Sequence, residues 1–161
     1  MATWHYSVSL LPRQRVLELA GSRPTRLAQE LVETTRWWSA QRAPLALEEG
    51  FAALLPERTD GLGDTRTWGG GDGDRVEIRY RSREVVSIVA HIALHEPAAC
   101  FLPGLVQLAR QADCVFLSED LTVVEPTRAA LIAALWESDA CAFALDPRQF
   151  LQTVGNCTYA S

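Results

Sequence analysis

The chain contains no lysine; all 15 of its basic residues are arginine. That absence excludes Schiff-base chemistry, which needs an amine nucleophile. It also removes the lysine of a GxxxxGK phosphate loop, and no GxGxxG follows a candidate strand. No apolar run reaches the roughly 18 residues of a membrane span, and no basic stretch followed by an apolar core marks a secretory leader at the N-terminus. A cytoplasmic protein is therefore expected. The four cysteines, Cys100, Cys114, Cys141 and Cys157, form no CxxC pair. So scattered, they read as small buried hydrophobes rather than zinc ligands. Asn156-Cys157-Thr158 fits a glycosylation sequon, which carries no weight without a secretory route.

What is present is an ordinary globular composition. The 161 residues suit one domain with a real core, set here at 1–155, followed by a loose tail at 156–161. The net charge is −5. An acidic chain without a basic stripe is a poor nucleic-acid ligand, since phosphate neutralisation supplies most non-specific affinity. The same charge suits a basic protein partner.

Hydrophobic periodicity organises the chain around Arg83–Glu96. One alternate set, Val86, Ile88, Ala90, Ile92 and Leu94, is wholly apolar. The other, with Ser87, His91 and His95, is mixed, as in a strand buried on one face and partly covered on the other. Val76, Ile78 and Tyr80 alternate with Glu77, Arg79 and Arg81, and Trp68 ends a shorter strand before them. GGGDGD (69–74) and Ser82-Arg83 are the turns, which makes a three-stranded meander. A first strand is expected over Trp4–Leu11, and short apolar strands at Cys114–Leu117 and Leu121–Val124. Helices are expected over Pro12–Ala20 to Gly21, after Thr25, over Leu45–Leu55, over Ala98–Ala112 with Pro103 shifting its start, over Arg128–Glu137 behind Thr127, and over Pro147–Val154. The fold class is α+β: an antiparallel sheet, the meander plus one to three more strands, with helices packed mainly on one face.

Few residues suggest chemistry. His91 and His95 on a strand lie roughly 13 Å apart and cannot share an ion. A lone GGGDGD is a turn, because the calcium nonapeptide it resembles works only as an array. No metal and no cofactor is expected. Trp37 and Trp38 are adjacent, and from one regular element they cannot both face the core, so one is expected to be partly exposed, as at an interface.

The order of motifs then becomes suggestive: WGGGDGDRVEIRY (68–80), VVSIVAHIALHE (85–96), ADCVFL (112–117), EPTRAALIAAL (125–135), SDACAF (138–143) and DPRQFL (146–151). Over residues 36–154 this pattern resembles small bacterial immunity proteins that are cognate partners of polymorphic or type VI secreted toxins. The resemblance implies a stoichiometric inhibitor of one toxin, with no active site of its own. Such a protein needs aromatic anchors and complementary charge. Trp37, Trp38 and Trp68 are the candidate anchors. Asp60, Asp64, Asp72, Asp74, Glu119 and Asp120 are the candidate acids facing a basic rim. Two other classes stay open. An enzyme would place His91 or His95 in a deep pocket beside an acid. A self-associating module would expose an apolar sheet edge or helix face.

Overall fold

The computed structural model describes residues 5–39, 44–58, 63–70, 73–94 and 100–138. The elements run β1 (His5–Pro12), α1 (Arg13–Ala20), α2 (Gln29–Thr34), α3 (Pro44–Leu54), β2 (Thr65–Gly69), β3 (Arg75–Arg81), β4 (Glu84–Ala93), α4 (Phe101–Gln111), β5 (Cys114–Ser118), β6 (Val123–Val124) and α5 (Arg128–Trp136). The six strands form one antiparallel sheet in the order β2-β3-β4-β1-β5-β6. The expected α+β class and the meander are present. The expected helix over 147–154, the tail, His95, Asp60 and Asp72 lie outside the described residues.

The period-two sets explain the layers. Tyr6, Val8 and Leu10 of β1, Val76 and Ile78 of β3, and Ile88, Ala90 and Ile92 of β4 are all buried. Their register puts them on one face: Val8 sits opposite Ala90, Tyr6 opposite Ile92, and Val76 and Ile78 opposite Ala90 and Ile88. Helix α3 covers this face, with Phe51 against Trp68 at 5.6 Å between ring centroids and Glu48 accepting a hydrogen bond from the Tyr80 hydroxyl. Helix α4 packs on α3 and β5. Val86 departs from the pattern, being 47% exposed in an otherwise buried set. The cause is a bulge: Arg79 pairs with Ser87 but Tyr80 with Val85, so Val86 is the extra residue and swings outward.

Local chemistry sets the boundaries. Gly21 closes α1 at φ 82°, its N–H bonding the Leu17 carbonyl. Ser82 and Arg83 both take positive φ, 51° and 69°, as a two-residue hairpin of the mirror-image type needs. Thr127 caps α5 by accepting from the Ala130 N–H at 3.1 Å. Pro103 falls in the first turn of α4, where its missing N–H costs nothing. Thr25, expected as a helix cap, instead gives its carbonyl to the Val123 N–H at 2.9 Å, and Ala28 is the residue before α2.

That Thr25 contact closes one sheet edge, since Arg26 bridges Thr122 and the Leu27 N–H bonds the Leu121 carbonyl. At the other edge Glu57 bridges Trp68, and Arg58 and Gly69 N–H groups bond Thr67 and Pro56 carbonyls. Both outer strands are thus covered by irregular segments, which removes a template for edge pairing. Arg66 reinforces the second edge. It binds Glu57 through two nitrogens, at 3.0 and 2.8 Å, and reaches Glu48 at 2.9 Å. Its guanidinium also stacks over Trp68, 5.0 Å from the ring centroid.

The cysteines divide. Cys114 is buried and free, as a small hydrophobe should be, and burial pushes its thiol up to about 12. Cys100 corrects the expectation: it is exposed at the head of α4 and disulfide-bonded.

Candidate partner-binding site

The β5–β6 turn, Ser118-Glu119-Asp120-Leu121-Thr122, builds the corner of interest. Ser118 and Thr122 close it backbone to backbone, Ser118 N–H to Thr122 carbonyl at 3.0 Å. Leu121 takes φ 67°, a left-handed position that a branched-chain residue adopts only when its neighbours impose it. Side chains impose it here. The Ser118 hydroxyl donates to the Asp120 carboxylate. The Thr122 N–H meets Ser118 Oγ at 3.1 Å and Asp120 Oδ1 at 3.3 Å. These bonds, the Ser118 hydroxyl first, hold the Asp120 carboxyl below the ordinary carboxylate range, so it is ionised at neutral pH.

Register brings the next component. Val8 lies opposite Ser118, so Tyr6, two residues earlier on the antiparallel β1, falls level with the turn. Glu137 and Ser138, just past α5, close the other side with Ala134. Tyr6, Ser118, Glu119, Asp120, Thr122 and the α5 residues together line a cleft of about 190 Å³. Tyr6 is only 4% exposed, and its hydroxyl has no hydrogen-bond partner. Burial, then the Asp120 and Glu119 charges, pushes that phenol up to about 12. It stays protonated and able both to donate and to accept. Trp136, the last residue of α5, is 50% exposed.

The candidate site residues sort clearly. Glu119 and Asp120 are exposed and together, as a charge-bearing turn should be. Asp64 is exposed at the opposite sheet edge, where its carbonyl accepts from the Tyr80 N–H at 2.7 Å. Asp74 is not a surface acid. It is 5% exposed and accepts from the Ala93 N–H at 2.8 Å, satisfying the last residue of β4. The three tryptophans are not anchors either. Trp37, Trp38 and Trp68 are all buried. Trp37 and Trp38 share the core because they sit in a turn after α2, not in a regular element. Their indole N–H groups reach the Val32 and Leu10 carbonyls, each at 3.2 Å. Among the described residues the exposed tryptophan is Trp136, and its signal was its place just off the Leu131–Leu135 stripe.

A second polar cluster lies on the half-exposed sheet face. Ser7 Oγ is 2.7 Å from His91 Nδ1, and Glu77 Oε2 is 3.6 Å from His91 Nε2. Arg75 Nε lies 3.1 Å from Glu77, and the His5 ring meets His91 edge-on at 6.3 Å. Burial first, then Arg75, lowers the His91 pKa, against Glu77. The ring is therefore neutral at pH 7. The sequence Ser–His–acid has the composition of a nucleophile relay, but 3.6 Å exceeds a hydrogen bond. Ser7, Glu77 and His91 also stand on three interior strands, whose N–H groups are committed to sheet pairing and leave no backbone oxyanion hole there. No cluster of three metal-ligating side chains occurs among the described residues.

The fold and this corner define an α+β protein with a closed-edged antiparallel sheet and an acidic, aromatic-flanked cleft. The chain matches no protein family, no curated protein and no solved structure.

Proposed function

We propose that this is a non-catalytic binding protein, an immunity protein that binds and neutralises a cognate bacterial toxin. One observation carries the reading. The corner at the β5–β6 turn sets Glu119, Asp120 and Glu137 around a recessed aromatic ring, that of Tyr6. Large amphipathic rings and complementary charge are what a tight protein interface uses. The net charge of −5 would steer a basic toxin toward it. The scaffold also suits the task, because its covered edges keep it from pairing with copies of itself. Among the described residues, the exposed large apolar side chains Leu17, Leu19, Leu45, Val86 and Trp136 are spread over α1, α3, the β4 bulge and α5.

No described helix is long and apolar enough to cross a membrane. The cytoplasm is the proposed place of action, and there the Cys100 bond would be held reduced. Peptide mapping of protein taken from cells, with and without reductant, reports which state it holds. The functional reading is tested by expressing the neighbouring open reading frames alone and with this protein. A neighbour that is toxic alone, harmless in the pair, and recovered in a one-to-one complex is the expected result. The absence of any such neighbour removes the reading.

The 2.7 Å contact between Ser7 and His91 favours a second reading, a small hydrolase. A fluorophosphonate probe decides between them. No labelling is expected, whereas labelling at Ser7 that disappears in His91→Gln would make the protein an enzyme.

A further inference from the structure

We draw no further inference here: the strongest candidate, the groove at the N-terminus of α5 lined by Arg13, Arg110, Asp113, Glu125 and Arg128, carries nothing, because Arg13 already spans Asp113 and Glu125 and no second feature among the described residues marks a ligand at that helix end.

Discussion

Trp68 concentrates what single residues do in this fold. It is fully buried, stacks on Phe51 from α3, lies under the Arg66 guanidinium, and leaves its indole N–H without a partner. Removing the ring empties the centre of the α3–β2 contact. Trp68→Ala is expected to cost about 3–5 kcal/mol, the range for a buried aromatic. Trp68→Phe keeps most of the packing and removes the unpaired donor, so it is expected to cost under about 1.5 kcal/mol. Urea unfolding of both variants checks this, and an unchanged midpoint for Trp68→Ala would return the residue to the surface. A tryptophan in a sequence announces a large amphipathic ring but not which way it points. At 37 and 38 the expectation failed because side-chain alternation belongs to strands and helices, and these residues occupy a turn. At 136 the ring stood off the apolar stripe, and its exposure could have been read.

At the scale of elements, α3 and α4 meet through reciprocal notches. A Cβ at Gly50 would collide with the Leu108 side chain, and one at Gly104 with Leu54. Each helix therefore offers a glycine to the other's leucine. Two effects compete in Gly50→Ala. Helix propensity favours alanine by about 1 kcal/mol, whereas overpacking costs about 1–3 kcal/mol. A net loss near 1 kcal/mol is expected. It should reverse to a gain when Leu108→Ala vacates the notch, and a double-mutant cycle reads that coupling. Additive effects would mean that the leucine simply turns away. The strands themselves were legible, because their period-two pattern is local. Both alternating sets of β3 and β4, the Thr127 cap and the Gly21 stop could be read from neighbours in sequence. The insertion of β1 between β4 and β5, the Val86 bulge, and the joining of Tyr6 to Glu119 and Asp120 could not. The first and last depend on pairing between distant segments, where pattern sets a face but not a neighbour, and the bulge is a register slip within the β3–β4 hairpin that an unbroken alternation conceals. Half of the candidate site was therefore readable as an acidic turn, and the phenol that completes it was not.

For the whole molecule, pH collects these local environments into one stability curve. His91 is depressed below its ordinary 6.5, chiefly by burial and Arg75. As pH falls, the unfolded chain takes up that proton first, so His91's contribution is complete above about 6.5 and is lost below it. Asp120, Glu57 and Glu125 are held below the carboxylate range, foremost by Ser118, Arg66 and Arg13 respectively. Their contribution is present above the unfolded carboxylate values near about 4 and disappears as pH falls through the lower native ones. On the alkaline side the signs reverse. Tyr6 and Cys114 are both pushed up to about 12 by burial. The unfolded thiol and phenol ionise first, so stability is complete below about 8.5 and declines as pH rises toward the native values. The urea midpoint is thus expected to plateau between about pH 7 and 8, to fall in two acid steps and to fall again in alkali. His91→Gln should erase the first acid step and keep the second, whereas Cys114→Ala should soften the alkaline decline. A midpoint that holds level from pH 7 to 5 in the parent protein would show that His91 titrates alike folded and unfolded. Its neighbours Ser7, Arg75 and Glu77 would then hold it far more loosely than their distances imply.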